Sequence, residues 1–577
     1  MRKLFVSLAL VCALVAPFPS VHAQQQPRRS NRNASASTSN ASSLAARARE
    51  DANNITAAQL KNYLSFIASD EMEGRDTPSR GLDTTAKFIA LNLTRWGFKP
   101  AGDGGTYFQR IALRRTKIDP ATTRMEFGDR QFKFGEDFLA QTSGADSAAG
   151  SLVYVGNGWI VKSKNINPYQ NVSVKDKIII INGTGSSPYP KGVTRADLSR
   201  TRGEDWANPE MAVQKFGAKG IIVLADYQAL ANWDRTRQTV LERGNTFVEK
   251  FRSEDDATQI PTITLSPKSA QILFQGEKQN AASIFNRSVA GETIESFDLA
   301  ADKRVSFNVA VKSEALQTQN VVAVMEGSDP QLKNEYVAVG AHYDHVGVGL
   351  PGAGRGGSKS GDASGDVIYN GADDDGSGTT ALLAMAESLG QAPQRPRRSV
   401  LFVWHCGEEK GLWGSRYFTE NPTVPLNQIV TQINIDMIGR SHAPNDANPV
   451  NKELSGPNEI YVIGSKMMST GLGDLSERVN KDYLNLAYNY RYDDTRDPNR
   501  FFFRSDHFNY AQKGVPIIFF FDGVHEDYHR PSDSPDKIDY QKMEKVTRTI
   551  YVTMQELANT TSRPRVDKQL PSELRGN

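Results

Sequence analysis

Five short segments of this sequence carry the side-chain types that bind divalent metal ions. Each contains carboxylate or imidazole groups, and in chain order they are AHYDHVG (341–347), NGADDDGSG (370–378), GEEKGLWGS (407–415), NIDMIG (434–439) and DYHRPSD (527–533). Neutral imidazole nitrogen and carboxylate oxygen are suitable ligands for zinc. Carboxylates that gather at one place repel one another and require cations to compensate. Together, the five segments predict a metal centre.

Any one of these segments has an ordinary structural explanation. Three aspartates before a helix (373–375) often form only an N-terminal cap, because carboxylates favour the positive end of the helix dipole. A glutamate pair such as 408–409 is commonly a solvated surface feature. The repetition of such groups at successive strand ends is what favours one shared site.

The elements that must position these groups alternate between strands and helices from about Gln319 to Thr560. Short apolar runs predict strands at Asn320–Glu326, Tyr336–Ala341, Val400–His405, Gln432–Ile435, Glu459–Ile463 and Val515–Phe521. Helices are predicted after Gly376, after Gly411, around Asp474–Leu484 and over Tyr540–Leu557. This alternation predicts an α/β fold, a three-layer α/β/α sandwich around a mostly parallel mixed sheet. In such sheets functional groups gather beyond the carboxyl ends of the strands.

In the first half of the chain, composition and predicted secondary structure change from one segment to the next. Residues 24–50 are largely polar and of low complexity, which predicts a disordered linker. Helical spacing predicts one helix through Leu60, Leu64 and Ile67 and a second over Gly81–Trp96. Residues 146–295 predict a β-rich insert, with a helix at Pro209–Phe216 and strands at Ser151–Val155, Lys177–Ile181, Gly220–Val223 and Thr262–Leu265. The insert has few clustered ligand-type residues, so we expect it to shape access to the site.

Length and charge exclude some classes of protein. The 577 residues exceed what one hydrophobic core usually serves, so two or more domains are expected. The formal net charge is +2, and five basic residues lie within the first 32 positions. The folded part is therefore not a polycation, and we expect no nucleic-acid partner.

The N-terminus resembles a signal peptide. Arg2 and Lys3 precede an apolar run over residues 4–17, and Val21-His22-Ala23 is a small-residue cleavage site. The run is short for a bilayer span, so we expect export to the periplasm or the extracellular space without stable membrane insertion. Cleavage would remove Cys12 and leave Cys406, which cannot form an internal disulfide alone and is expected to be a buried small residue.

The five segments resemble, in the same order, the motifs of the co-catalytic two-zinc exopeptidases. That family includes bacterial leucyl aminopeptidases and the relatives of glutamate carboxypeptidase and the transferrin receptor. The resemblance covers about residues 315–560 and extends to DEMEGRDTPSRG (70–81), while AVQKFGAKGIIVL (212–224) resembles a protease-associated (PA) domain. Together with the N-terminal features above, it predicts a signal peptide (1–23), a linker (24–50), the N-terminal part of a peptidase domain (51–145), a PA-like insert (146–295), a zinc peptidase catalytic domain (296–562) and a C-terminal tail (563–577).

The resemblance implies two Zn²⁺ per chain and a role for each matching ligand. His342 and Asp436 would bind one zinc, His529 and Glu409 would bind the other, and Asp374 would bridge both. Two zinc ions about 3.5–4 Å apart acidify a shared water and polarise a scissile carbonyl.

The remaining roles concern the residues beside these ligands. Glu408 would be the general base that activates the metal-bridging water, and Asp344 would orient His342. Asp375 would follow Asp374 through a cis peptide bond, and Tyr528 would donate its hydroxyl to the oxyanion. Asp506 and His507 are similar to a family segment near the substrate pocket, and the expectation for both is structural support.

The resemblance leaves several activities open. The leading hypothesis is an aminopeptidase that acts on peptides. A carboxypeptidase or dipeptidase would need a cation for the substrate carboxylate, which Arg500 and Arg504 offer. A single-zinc glutaminyl cyclase is possible on the same fold. A non-catalytic receptor-like domain is disfavoured, because such relatives lose ligands that this sequence retains. Side-chain preference, oligomeric state and the role of the Gly/Ser-rich loop 347–366 stay open.

Overall fold

The computed structural model describes residues 44–141, 146–183, 189–198, 200–252, 260–349 and 365–569. The predicted signal peptide, Cys12, most of the predicted linker, most of loop 347–366 and the end of the predicted tail lie outside the described residues. Within the described ranges, no helix has the length and apolar character needed to cross a membrane.

The helices and strands are numbered in chain order. The helices are α1 (44–52), α2 (Ala57–Ile67), α3 (Arg80–Arg95), α4 (Pro209–Phe216), α5 (Tyr227–Ala231), α6 (Trp233–Gln238), α7 (Pro267–Leu273), α8 (Ala281–Ala290), α9 (Gly376–Gln391), α10 (Trp413–Glu420), α11 (Ser465–Met468), α12 (Thr470–Asp482), α13 (His507–Gln512) and α14 (Tyr540–Asn559). The strands in the first half are β1 (Lys99–Pro100), β2 (Phe108–Ile118), β3 (Arg124–Phe127), β4 (Arg130–Phe132), β5 (Phe138–Ala140), β6 (Asp146–Tyr154), β7 (Ile160–Val161), β8 (Ile178–Asn182), β9 (Trp206–Ala207), β10 (Gly220–Leu224), β11 (Asn245–Val248) and β12 (Thr262–Leu265). The later strands are β13 (Phe297–Asp298), β14 (Arg304–Val309), β15 (Val311–Met325), β16 (Tyr336–His342), β17 (Gly347–Val348), β18 (Ile368–Tyr369), β19 (Ser399–His405), β20 (Ile429–Ile435), β21 (Glu459–Ile463), β22 (Ala487–Asn489) and β23 (Ile517–Phe521).

The larger sheet has the strand order β11-β2-β15-β19-β16-β20-β23-β21-β22. Its central strands β19, β16, β20 and β23 are parallel, whereas β15 and β21 pair antiparallel on either side of them. The predicted mixed α/β sheet is confirmed, but its parallel part is narrower than expected. The difference arises because only Asn320–Glu326 was predicted as a strand in this part of the chain. The polar first part of β15 and its antiparallel pairing with β2 were not predicted.

The two faces of this sheet pack into different hydrophobic cores, because successive side chains of a strand point to opposite faces. Val337, Val339 and Ala341 of β16 belong to a core with α2, α3, α9 and α14. Ala338, between them, belongs to a core with α10 and α13. Helices therefore cover both faces, and the predicted three-layer arrangement is confirmed.

The N-terminal helices complete one of these helical layers. Leu60, Leu64 and Ile67 of α2 are fully buried, as their spacing predicts. Ordered structure begins earlier than expected, because most of α1 (44–52) falls within the range 24–50 predicted as a linker. The reason is that Ala48 and Ala52, one helical turn apart, pack into the same core.

The second sheet forms the insert and has the order β4-β3-β14-β6-β8-β10-β12-β5. It extends past the predicted range 146–295 on both sides, since β3 to β5 precede that range and β14 follows it. The apolar strands β8, β10 and β12 were visible in the sequence. In contrast, β3 to β5 are only three or four residues long and β14 alternates polar and apolar residues, so these strands were not assigned to the insert. The chain also returns to the larger sheet inside the insert, where β11 pairs with β2.

Substitution of Leu64 by alanine tests whether the segment before the insert belongs to the core of the larger sheet. Leu64→Ala should lower the free energy of unfolding by about 2–5 kcal/mol, because a fully buried leucine is lost. Leu91→Ala is the matched control, since Leu91 of α3 is 61% exposed. Urea unfolding measures both variants, and an equal, small effect of the two substitutions would contradict this packing.

Candidate metal centre

The carboxyl ends of β16 and β20 and the segment before α9 bring His342, Asp374 and Asp436 together. Nε2 of His342 lies 3.2 Å from Oδ1 of Asp374 and 3.6 Å from Oδ1 of Asp436. All three residues are buried, and their potential ligand atoms lie within 4.8 Å of one another. This group can hold one divalent cation.

The other carboxylate oxygen of Asp374 faces a second group. Nε2 of His529 lies 3.0 Å from Oδ2 of Asp374 and 3.0 Å from Oε2 of Glu409. Nδ1 of His345 lies 2.8 Å from Oε1 of Glu409 and 3.7 Å from Oδ2 of Asp374. Asp374 therefore directs one oxygen to each group, which is the geometry expected of a bridging ligand.

His345 was not predicted as a site residue. Its position in AHYDHVG, three residues after His342, is the signal that could have identified it. Buried polar atoms without a hydrogen-bond partner of good geometry among the described residues support the fit of the two groups to metal ions. These atoms are Nε2 of His342, Nδ1 and Nε2 of His345, Oδ2 of Asp374 and Oε1 of Glu409. An unsatisfied buried polar atom costs about 1–3 kcal/mol, and a divalent cation between these atoms would satisfy several at once.

The pKa values of the adjacent residues Glu408 and Glu409 are shifted in opposite directions. Burial raises the pKa of Glu408 well above its usual range, and the negative charges of Glu409 and Asp436 raise it further against the opposing effect of His342. Burial also acts on Glu409, but its contacts with His345 and His529 outweigh that effect and lower its pKa to about 2. Glu409 is suited to remain an anionic ligand, whereas Glu408 is suited to accept a proton.

Asp375 connects three segments of the site. Its Oδ2 accepts a hydrogen bond from the backbone N–H of His342 (3.1 Å), and its Oδ1 accepts from those of Met437 (3.2 Å) and Gly378 (2.9 Å). The Asp374–Asp375 peptide bond is cis, as predicted. The carboxylate of Asp375 thereby holds the two strand ends and the start of α9 together.

The predicted support of His342 by Asp344 has a different geometry from the one expected. Nδ1 of His342 lies 3.1 Å from the backbone carbonyl oxygen of Asp344 and 3.7 Å from its carboxylate Oδ1. The same Oδ1 accepts a hydrogen bond from the backbone N–H of Glu408 at 3.1 Å. The carbonyl group contacts the ring, while the carboxylate positions the Glu408 turn.

The RSDHF segment supports the site, and Ser505 within it was missed. Its hydroxyl donates to Oδ2 of Asp436 at 2.6 Å and accepts from the side-chain amide of Asn434 at 2.8 Å. Nε2 of His507 lies 2.8 Å from the carbonyl oxygen of Phe502, and Asp506 lies 3.5 Å from Nδ1 of His405. Neither contact is to a candidate ligand.

A cavity opens beside the two groups of candidate ligands. Its lining includes the carboxylates of Asp374, Glu408 and Asp436 and the hydroxyl of Ser505. The apolar part of the lining comes from Met437, Phe501, Phe519, Phe521 and Val524. Tyr528 and Arg504 also line it, and the Tyr528 ring stacks on His529 with 3.9 Å between centroids. Arg500 is not among the lining residues.

Cys406 is buried and free, and burial raises the pKa of its thiol. It lies directly after β19 and before the Glu408 turn. The prediction that it is a buried small residue is confirmed, and a neutral, inaccessible thiol is unsuited to nucleophilic attack.

The sequence model of peptidase family M28 matches residues 320–554, which contain all five motif segments. These residues are similar to that family and are called the M28 region below. Leucine aminopeptidase 2 of Arthroderma otae is 26% identical over 293 residues, which cover 49% of this chain and 50% of that protein. Aminopeptidase Y of Saccharomyces cerevisiae is 29% identical over 229 residues, 40% of this chain and 34% of that protein.

The chain spans about half the length of the curated relatives it matches. Among solved structures, an aminopeptidase from Aneurinibacillus sp. strain AM-1 is similar in fold over 92% of this chain and 100% of its own, with a TM-score of 0.50 and 16% sequence identity. The predicted ligands, the general base and the residues beside them all lie within the M28 region.

Arg75 lies outside the M28 region, yet it joins two of its loops. Its guanidinium is fully buried and donates hydrogen bonds to the carbonyl oxygens of Tyr343 (3.0 Å), Asn370 (2.8 Å), Gly371 (2.9 Å) and Ile67 (2.7 Å). The loop after His342 and the loop before Asp374 are thereby fixed to the N-terminal segment. The motif containing Arg75 was recognised in the sequence, but this residue was not.

Substitution of Arg75 tests this link. Arg75→Met should lower the free energy of unfolding by about 3 kcal/mol or more, because four buried carbonyl oxygens lose their donor. Arg75→Lys should recover only part of the loss, since an ammonium group cannot reproduce the planar guanidinium geometry. Chemical denaturation measures both variants, with the exposed Arg80→Met as control. An unchanged unfolding midpoint for Arg75→Met would refute the link.

Proposed function

We propose that this protein is a two-zinc aminopeptidase that removes N-terminal residues from peptides. The observation that carries the proposal is the position of Asp374, with one carboxylate oxygen toward His342 and the other toward His529. The similarity of residues 320–554 to peptidase family M28 supports a peptidase activity. Two relatives, leucine aminopeptidase 2 and aminopeptidase Y, carry aminopeptidase names, which favours this direction of cleavage.

Five side chains would hold the zinc pair. His342 and Asp436 would hold one ion and His529 and Glu409 the other, with Asp374 shared between them. Bound zinc supplies two effects in such sites: it lowers the pKa of a water molecule and polarises a carbonyl oxygen.

Glu408 moves the proton in this proposal. Its carboxyl group lines the cavity, with Oε2 4.0 Å from Nε2 of His342, and its backbone is fixed by Asp344. Adjacent side chains diverge, so Glu408 is free while Glu409 binds metal. Its raised pKa suits a carboxylate that takes a proton from the attacking water and gives it to the departing amine.

Tyr528 stabilises the charge that develops on the carbonyl oxygen. Its hydroxyl oxygen accepts a hydrogen bond from Nη2 of Arg504 at 3.3 Å, so its own proton remains available to the cavity. A donor held in place before the reaction stabilises an oxyanion more effectively than a mobile one. We therefore assign Tyr528 the role of oxyanion donor, and Arg504 the role of holding it.

A carboxypeptidase activity is the second candidate, and the position of Arg504 favours it. A guanidinium at the cavity could pair with a substrate carboxylate, as well as with Tyr528. Against this, the nearby carboxylates Asp374, Glu408 and Asp436 suit a substrate ammonium group. Arg500 does not support this activity, because its guanidinium stacks on the Phe503 ring at 4.2 Å.

The location of the protein and the role of the insert also belong to this proposal. The N-terminal sequence supports export to the periplasm or the extracellular space, with the mature chain beginning at Gln24. The insert, proposed as PA-like, walls a cavity of about 680 Å³ together with Lys410 and Trp413 of the M28 region. Arg243 of the insert donates to the carbonyl oxygen of Val348 at 2.7 Å, which supports a role in shaping access.

Substitution of Glu408 by glutamine separates chemistry from metal binding. Glu408→Gln should lower kcat by about 10²–10⁴-fold, because the proton acceptor is lost while the ligands remain. Elemental analysis should still find two zinc ions per chain. The exposed Glu314→Gln is the control for loss of a carboxylate. Full activity of Glu408→Gln, or fewer than two zinc ions in the unsubstituted protein, would contradict the proposal.

A substrate panel tests the direction of cleavage. Aminoacyl-nitroanilides with a free amino group should be hydrolysed, and N-blocked dipeptides with a free carboxylate should not. Leucine, alanine, lysine and glutamate derivatives would report the preferred side chain. Hydrolysis of the N-blocked dipeptides alone would favour the carboxypeptidase alternative.

A further inference from the structure

We propose that His345 is a direct ligand of the metal ion held by His529 and Glu409. This inference rests on the proposed two-metal function and adds a residue to it. The two metal positions would then differ in composition. One would have a single imidazole with two carboxylates, and the other would have two imidazoles with two carboxylates.

The position of the His345 ring carries the inference. Its Nδ1 lies 2.8 Å from Oε1 of Glu409 and 3.7 Å from Oδ2 of Asp374, and potential ligand atoms of these three residues lie within 4.8 Å of one another. Nε2 of His529 approaches the same two carboxylates from another side, at 3.0 Å from each. Four side chains thus surround one small volume.

The ring is held in this position by its surroundings. His345 is fully buried, and its backbone N–H donates to the carbonyl oxygen of Arg75 at 3.2 Å. Gly371 crosses close to the ring, since a Cβ atom there would lie 2.5 Å from both Cγ and Cδ2 of His345. Gly371 also has a φ of +55°, so glycine is favoured at this position for two reasons. Little room remains for the ring to turn away from Glu409.

The unsatisfied nitrogens of this ring are a second observation. Neither Nδ1 nor Nε2 of His345 has a hydrogen-bond partner of good geometry among the described residues, although the ring is completely buried. Buried polar groups usually have a partner, so each exception calls for an explanation. A bond from Nδ1 to a metal ion between Glu409 and Asp374 would account for one of the two.

A difference in affinity between the two positions follows from this assignment. The position with His345 and His529 offers four protein ligands, whereas the position of His342 offers three. Because imidazole is a favourable ligand for zinc, the ion beside His345 should be lost last. Stepwise chelation of the purified protein should therefore remove the two ions in two separate phases.

The test is the zinc affinity of a shape-preserving variant. His345→Phe fills the same buried space without a ligand atom, and His345→Asn serves as a smaller second variant should phenylalanine impair folding. Removal of a group that only supports a ligand lowers metal affinity about 10–100-fold. Loss of a ligand should therefore lower the affinity for the zinc ion beside His529 and Glu409 at least 10-fold. Competition titration with a zinc chelator measures this affinity without any assay of activity.

Cobalt substitution distinguishes a ligand from a hydrogen-bond partner of Glu409. If His345 is a ligand, His345→Asn should change the visible absorption spectrum of the cobalt ion beside His529 and Glu409. A spectrum equal to that of the unsubstituted protein overturns the inference. His507→Phe is the matched control, because His507 is a buried histidine that stacks on Phe519 with 4.4 Å between centroids. This control should retain both ions with unchanged affinity, and an equal loss in it would also overturn the inference.

The zinc content of the unsubstituted protein separates this inference from the proposed function. Fewer than two zinc ions in that protein would refute the two-metal function itself. Two zinc ions in the unsubstituted protein, with unchanged affinity for the ion beside His529 and Glu409 in the His345 variants, would refute only the role of His345.

Discussion

Repulsion among buried carboxylates is the constraint on which this structure depends. Asp374, Glu408, Glu409 and Asp436 end at the same rim of the sheet, where water can no longer separate their charges. His342 contacts one carboxylate oxygen of Asp374, and His345 and His529 lie near the other. In a low-dielectric interior such an arrangement is stable only when positive charge compensates it. In the proposed function, a pair of divalent cations would supply that charge at the point where the side chains converge.

The scaffold places the carboxylates there through contacts that do not bind metal. Asp375 accepts hydrogen bonds from three backbone segments, and Asp533 accepts from the backbone N–H groups of Asp373 (3.0 Å) and Asp374 (3.2 Å). Arg75 fixes two loops from a part of the chain that precedes the insert by many residues. The larger sheet provides the strand ends, and the hydrogen bonds of Asp375, Asp533 and Arg75 determine how the loops beyond these ends are arranged.

Local sequence patterns predicted the longer helices and strands of the M28 region and the apolar strands of the insert. β21 and β12 have the predicted bounds, because a compact apolar run between turns leaves little freedom. Asp374 and its partners were recognised from the motifs that contain them. Features that depend on distant contacts were not predicted. The first part of β15, which pairs with β2, is polar, and the edge strands of the insert are short. The roles of Arg75, His345 and Ser505 arise only from contacts made after folding.

The most direct measurement of the central claim is anomalous diffraction from crystals of the purified protein at energies above and below the zinc absorption edge. The account predicts two anomalous peaks about 3.5–4 Å apart, one beside each carboxylate oxygen of Asp374. His342 and Asp436 should lie next to one peak, and Glu409 and His529 next to the other. A single peak, or two peaks that do not share Asp374, would contradict the account.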